Sequence, residues 1–137
     1  MHKAILILLM VISSKSITAY ESNWFEVGKS RGESQGDYFV ITSYVDLSTI
    51  RIEGNRRKIW TLLNTDKPIG RIRSSKSLIE FDCKEEKART IYSVAYYGNM
   101  GSGESKVMPS SKEEEFIPIL PRSLNSKEFQ ITCNETQ

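Results

Sequence analysis

The chain has 137 residues, of which 26% are charged and 39% hydrophobic, and its formal net charge is +2 at neutral pH. This composition is typical of a globular protein, and the length suits one compact domain with a single core. The near-neutral charge excludes general electrostatic steering toward nucleic acid or an anionic membrane surface.

The N-terminus has the order of a secretion signal. A short basic start precedes an uncharged apolar run at residues 4–12, which is too short to cross a bilayer. A polar stretch then ends in a small residue, Ala19. We therefore expect residues 1–19 to be a cleaved signal peptide and residues 20–137 to be the exported domain. Its location would be the periplasm, the cell surface or the medium.

Cleavage would change the chemistry that is left in the mature chain. The one histidine, His2, would be lost with the signal, and loss of Lys3 and Lys15 would lower the formal charge from +2 to zero. The mature domain would then have no imidazole for acid–base catalysis or metal ligation. We therefore expect no enzymatic activity, no catalytic residues and no metal site.

Period-two patterns of aromatic and β-branched residues predict β-strands in the middle of the chain. The predicted strands cover residues 38–45, 59–63, 78–83 and 91–97. The polar, glycine-containing segment 28–37 before them is expected to be a loop, and so is segment 98–105 after them. Residues 53–55, which read Glu-Gly-Asn, tolerate positive φ and predict a hairpin turn.

The third predicted strand has two chemically different faces. Alternation places Ile79, Phe81 and Cys83 on the apolar face, so that Cys83 points inward. The other face carries Glu80 and Asp82. Paired carboxylates at this spacing can catalyse glycoside hydrolysis, but we expect these two to be solvated, because no sugar cleft is visible in the sequence.

Two cysteines, Cys83 and Cys133, lie far apart in the chain. In an exported protein they predict one structural disulfide, because oxidising compartments favour pairing and metal sites usually need more ligands. Two separate buried thiols are the alternative. A redox-active pair is not expected, since neither cysteine belongs to a Cys-x-x-Cys motif.

The C-terminal part of the chain fits two alternatives. A charged linker is expected at residues 109–115, and the prolines after it favour an extended path. Ser123 is then a predicted N-cap for a short helix that ends near Cys133. However, Phe129, Ile131 and Cys133 alternate, so the local pattern fits a strand equally well.

The densest basic cluster consists of Arg56, Arg57 and Lys58, with Arg51 nearby, at the mouth of the predicted hairpin. It is a candidate binding patch for an acidic protein surface or a polyanion. The alternative is a sheet edge that charge keeps soluble.

A second candidate contact surface is aromatic. Trp24, Tyr92, Tyr96 and Tyr97 are residue types that are enriched at binding hot spots, although core packing would also use them. The glycine-rich segment 98–103 lacks the lysine and the helix start of a phosphate-binding loop. We expect it to be a tight connection between strands.

Four sequence blocks follow one another in an order that is typical of one family. They are the motifs YVD, STIR, GN and KIW within residues 44–60, KSLIEFDC at 76–83 with Arg89 after it, YGNMGSG at 97–103, and FIPI at 116–119 followed by residues 123–133. Together they resemble the bacterial surface-adhesin protein E family. The likeness extends over residues 24–133.

The resemblance implies an α+β fold that is mainly β: a single antiparallel sheet of about six strands, with a short C-terminal helix packed on one face. The cysteine pair would tie this helix to the sheet. The chain departs from the family pattern at Ser126, where a helix-capping acid is usual, and at Glu128 and Thr132, where apolar residues are more common. We therefore expect the helix to fray.

In function, the resemblance implies an exported binding domain for host matrix or serum proteins. The alternative is a periplasmic inhibitor or immunity-like protein that blocks a toxin or a lytic enzyme. Either function requires a protein partner from the host or the envelope, and the oligomeric state, including a homodimer, stays open. The resemblance also raises the question of haem, for which Tyr97 or Met100 would have to serve as axial ligand. We expect no cofactor and no nucleic acid.

Overall fold

The computed structural model describes residues 22–109 and 115–134. The predicted signal peptide, residues 1–19, lies outside them, and its cleavage stays a prediction. Residues 110–114 of the expected linker also lie outside. No helix in the described part of the chain is both long and apolar enough to span a membrane.

Seven antiparallel strands form one sheet. They are β1 (Trp24–Ser34), β2 (Asp37–Glu53), β3 (Arg56–Ile69), β4 (Ile72–Asp82), β5 (Lys87–Tyr96), β6 (Ser105–Val107) and β7 (Ile117–Pro118). The first six lie side by side in chain order, and β7 pairs with β5. A single helix, α1 (Leu124–Asn134), follows them. The fold implied by the family resemblance is therefore confirmed.

The prediction that residues 28–37 form a loop is wrong. Most of this segment belongs to β1, which pairs with β2 from Trp24 opposite Asp46 to Ser34 opposite Asp37. The segment is polar because β1 is an edge strand that is largely exposed, so the backbone ladder rather than apolar burial holds it in place. Only two residues form the turn, and both have positive φ.

The four predicted strands all overlap observed strands, and the hairpin turn lies where the sequence predicts it. β2 ends at Glu53 and β3 begins at Arg56, which leaves a two-residue turn. Gly54 in this turn has φ of +60°, a conformation that side-chain-bearing residues rarely adopt.

The C-terminal segment is a helix rather than a strand. Ser123 is its N-cap, as predicted, because its side-chain oxygen accepts a hydrogen bond of 3.0 Å from the backbone N–H of Ser126. The expected fraying is not observed, and the helix continues to Asn134. Glu128 and Thr132, which looked unsuitable, are buried at 6% and 0% exposure.

α1 packs on one face of the sheet over the hydrophobic core. Val45, Ile59 and Phe81 are fully buried there, and Phe129 of the helix meets Phe81 edge-on at 5.8 Å between ring centroids. The predicted disulfide between Cys83 and Cys133 is confirmed, with 5.8 Å between the two Cα atoms. It fixes the last turn of α1 to the end of β4.

Candidate functional site

The sheet has two faces with different surroundings. We call the face on which α1 lies the helix face, and the other the open face, because no α-helix covers it among the described residues and only the 3-10 turn at Asn99–Gly101 packs on part of it. Side chains alternate along each strand, and residues opposite each other in antiparallel strands share a face. Ser43, Val45, Ile59 and Phe81 point to the helix face, so their chain neighbours point to the open face.

Two rows of charged residues cross the open face near the β2–β3 turn. The register gives one row as Arg51, Lys58, Glu80 and Arg89, and the other as Glu53, Arg56, Asp82 and Lys87. Acidic and basic side chains are interleaved in both rows, so this region carries only a small excess of positive charge. The basic cluster predicted from sequence therefore lies within a mixed-charge surface.

Arg57 does not belong to this surface. Its Nη1 donates hydrogen bonds to the backbone oxygens of Thr132, at 2.9 Å, and Cys133, at 2.6 Å. These carbonyls lie at the C-terminus of α1, where intrahelical donors are missing and the helix dipole favours a cation. Strand alternation turns Arg57 to the helix face, whereas Arg56 and Lys58 point the other way. We therefore remove Arg57 from the candidate patch, which leaves Arg51, Arg56 and Lys58.

Because Arg57 caps α1, Arg57→Met is expected to lower the free energy of unfolding by about 1.5–3 kcal/mol, the range for hydrogen bonds that involve a charged group. Urea unfolding of both the variant and the wild type measures this change. Arg51→Met is the control, because Arg51 is exposed and its side chain bonds only to the oxygen of Ile50, at 3.0 Å. Equal stability losses in the two variants would contradict the capping role.

The expectation that Glu80 is solvated is wrong. Glu80 is 3% exposed, and its carboxylate accepts hydrogen bonds from Arg89, with Nη2 at 2.6 Å and Nε at 2.9 Å, while Lys58 Nζ lies 3.9 Å away. Asp82 instead accepts hydrogen bonds from the backbone N–H groups of Lys84 and Glu85 in the following turn. The two carboxylates therefore have separate hydrogen-bond partners and separate structural roles.

Beside the charged rows, an aromatic row crosses five strands of the open face. Its members are Trp24, Asp46, Trp60, Leu78 and Tyr92. The next row contains Glu26, Tyr44, Leu62, Lys76 and Val94. Where the two rows meet, together with Tyr96, they surround an open basin of about 280 Å³. We call this the aromatic basin.

The aromatic basin contains three of the four aromatic residues that the sequence suggested as a contact surface. Trp24, Tyr92 and Tyr96 line it, whereas Tyr97 is not among its lining residues. Tyr92 is 41% exposed and meets Trp60 edge-on at 6.2 Å between ring centroids. The basin is therefore a surface of aromatic rings rather than a closed core.

Lys76 brings a positive charge into the aromatic basin. Its Nζ lies 5.3 Å from the ring centroid of Tyr96 and 5.8 Å from that of Trp24, within reach of cation–π attraction. The sequence indicated neither Lys76 nor Trp60 as a site residue, because each looks like an ordinary strand position. Only the register between β3, β4 and β5 brings them to one place.

On the helix face, a groove of about 970 Å³ runs beside α1. Glu128 lies in its wall and accepts a hydrogen bond of 2.6 Å from Ser43 Oγ. Burial raises the pKa of Glu128 to about 7, although the hydrogen bond from Ser43 acts in the opposite direction. The carboxyl therefore changes its charge near neutral pH.

The glycine-rich segment forms a tight connection, as the sequence indicates. It contains a 3-10 turn at Asn99–Gly101 that hydrogen bonds tie to β3 and β4. Met100 N–H donates to Asn64 Oδ1 at 2.8 Å, and Gly101 N–H donates to Ser74 Oγ at 2.9 Å. Within residues 22–109 and 115–134, no group of three or more His, Cys, Asp or Glu side chains is placed to hold a metal ion.

A family model described as surface-adhesin protein E matches residues 24–134 of the chain. The fold is similar to that of Haemophilus influenzae protein E. Crystal form II of that protein has a TM-score of 0.57 and 17% identity, with 68% of this chain and 80% of that chain covered. A second structure of it has a TM-score of 0.57 and 16% identity, with 68% and 77% covered. No curated protein sequence matches the chain.

Proposed function

The chain belongs to the surface-adhesin protein E family, and we propose that its exported domain is a non-enzymatic module that binds a host matrix or serum protein through the open face. Family membership supports an adhesin-like binding protein in general. The observation that carries the proposal is the aromatic row on a sheet face that no α-helix of the described residues covers.

The residue types of this face suit protein recognition. Trp, Tyr and Arg are enriched at the centres of protein interfaces, because they bury much area for few rotatable bonds. Trp60 and Tyr92 would supply such contacts, and the charged rows beside them would form a polar rim. A rim of this kind affects association rate and partner choice more than affinity.

Within the rim, the basic residues differ in how available they are. Arg56 and Arg89 both contact the ring of Phe116, with guanidinium carbons 4.9 and 4.6 Å from its centroid. Lys58 is 42% exposed in its side chain but near Glu80. Arg51 is therefore the rim cation that is most free to meet a partner.

Tyr92→Ala is expected to weaken partner binding by about ten-fold or more, which is the usual loss when an interface hot spot is truncated. The partner would be sought among immobilised matrix and serum proteins and in a pull-down from envelope extract, and its affinity measured by surface plasmon resonance. Tyr38→Ala is the matched control, because Tyr38 is 49% exposed on the same face but lies at the β1–β2 end.

Arg51→Glu provides a second arm of the same experiment, since it should slow association and change its salt dependence while leaving dissociation nearly unchanged. Equal affinities of the wild type and Tyr92→Ala would remove the open face from the proposal. If neither source yields a partner, the proposed function is contradicted. Recovery of an envelope enzyme or toxin alone would favour the inhibitor alternative instead.

A further inference from the structure

The aromatic basin combines flat walls with one cation, Lys76, that forms no ion pair among the described residues. Trp24, Trp60, Tyr92 and Tyr96 line it, with Val94 between them. Its volume of about 280 Å³ is just below the range of about 300–1,000 Å³ that is usual for drug-sized ligands. The basin therefore has room for a single ring-sized group.

The ammonium of Lys76 is the recognition element in this basin. No carboxylate of the described residues forms an ion pair with it, and its polar end lies near the faces of Tyr96 and Trp24. The turn above it helps to hold it in place, because a Cβ on Gly101 would collide with Cε of Lys76. Lys76 thus presents a positioned positive charge.

The one carboxylate that lines the basin is already engaged. Asp46 is 1% exposed, and its Oδ1 accepts hydrogen bonds from the backbone N–H of Ser48, at 3.1 Å, and from its hydroxyl, at 2.5 Å. Asp46 and Lys76 do not form an ion pair with each other. An incoming carboxylate would add the missing counter-ion in surroundings of low polarity, where a charge pair is stronger than in water.

We propose that the aromatic basin binds one carboxylate-bearing sugar ring, such as a sialic or uronic acid of a glycoprotein or proteoglycan. The sugar carboxylate pairs with Lys76, and its C–H face stacks on the electron-rich aromatic walls. Tyr92 and Tyr96, which line the basin, carry phenol hydroxyls that suit the hydroxyls of such a ring. The side chain of an acidic peptide would satisfy Lys76 but would leave most of the ring walls uncovered.

This inference rests on the proposed function, because it specifies what the open face recognises on its partner. Both tryptophans of the chain, Trp24 and Trp60, line the basin. Intrinsic tryptophan fluorescence of the mature protein therefore reports directly on its occupancy.

The test is a fluorescence titration with N-acetylneuraminic acid and with glucuronic acid, which separates the two sources of the carboxylate. Glucose and a Glu-rich peptide serve as comparison ligands. Each sugar is presented both singly and on a multivalent polymer, whose avidity reveals weak single-site binding. At least one acidic sugar should bind about ten-fold or more tightly than glucose, and the peptide should not compete with it.

Lys76→Met keeps the aliphatic stem and removes the charge, so it should lower acidic-sugar affinity by about ten-fold or more, while Lys76→Arg retains most of it. Lys29→Met is the matched control, since Lys29 lies on the same face with its side chain 64% exposed. Unfolding curves show whether each variant is folded.

Equal responses to acidic and neutral sugars would overturn the inference, and so would an unchanged acidic-sugar affinity of the Lys76→Met variant. Displacement of the sugar by the peptide, or no binding even to the polymers, would also overturn it. Failure of the proposed function looks different. If a protein partner binds and Tyr92→Ala weakens it while acidic sugars neither bind nor compete, the open face is still the binding surface and only the sugar specificity is wrong.

Discussion

Replacing both Cys83 and Cys133 by Ser is expected to lower the free energy of unfolding by about 2–5 kcal/mol, as is typical when a native disulfide is removed from a small secreted domain. The bridge closes a loop whose ends are 50 residues apart. In the chain-entropy model, a loop of this length is worth roughly 4 kcal/mol, because the cross-link restricts the unfolded chain. Urea unfolding of oxidised wild type and of the double variant measures the difference.

The loss should be greatest where the bridge acts. α1 would still be held by the Phe81–Phe129 contact and by Arg57, so the variant should stay folded but release the helix more easily. Hydrogen exchange of amides in α1 should therefore accelerate more than that of β3. Reduced wild type serves as the control and should behave like the double Ser variant. An unchanged unfolding midpoint would show that the bridge has no structural role.

Glu128→Gln is expected to raise stability at pH 8 by about 2–3 kcal/mol and to leave it nearly unchanged at pH 4.5. The reason is that the pKa of Glu128 is about 7 in the folded protein, against an ordinary value of 4.5. Between these values the folded state holds a proton that the unfolded state has lost. The contribution of Glu128 to stability therefore falls as the pH rises from about 4.5 to 7.

Above pH 7, folding requires a buried carboxylate that has no cationic partner among the described residues, whereas glutamine keeps the shape and can still bond to Ser43. Urea unfolding at several pH values measures the effect. Glu26→Gln is the control, because the Glu26 side chain is 52% exposed and its removal should not change the pH profile in this range. Parallel pH profiles for wild type and Glu128→Gln would contradict the prediction.

The central strands, the β2–β3 turn and the N-cap at Ser123 could be predicted from sequence, because local periodicity and turn chemistry encode them. β1 could not, since a polar and largely exposed edge strand has the composition of a loop. The helix could be distinguished from a strand only by the family resemblance. Its buried polar positions make the local pattern ambiguous, and a disulfide to another element holds its last turn.

The candidate site was harder to predict, because it depends on pairing across strands. Three consecutive basic residues look like one patch, but alternation sends Arg57 to the opposite face from its neighbours. Conversely, Trp24 and Lys76 are more than fifty positions apart in the chain. They line the same basin because the pairing register of four successive strands brings them together. Single-sequence patterns report neighbours along the chain and not neighbours across a sheet.

The order of the strands also determines in which sequence the sheet and the disulfide can form during export. β2 to β6 each pair with the strand before them, so most of the sheet consists of contacts between nearby parts of the chain. Such contacts form quickly and do not wait for the C-terminus. Cys83 lies at the end of β4, whereas its partner is near the last residue of α1. A chain that emerges N-terminus first would therefore assemble its sheet with an open thiol, and oxidation would be the final step that closes α1 over the core.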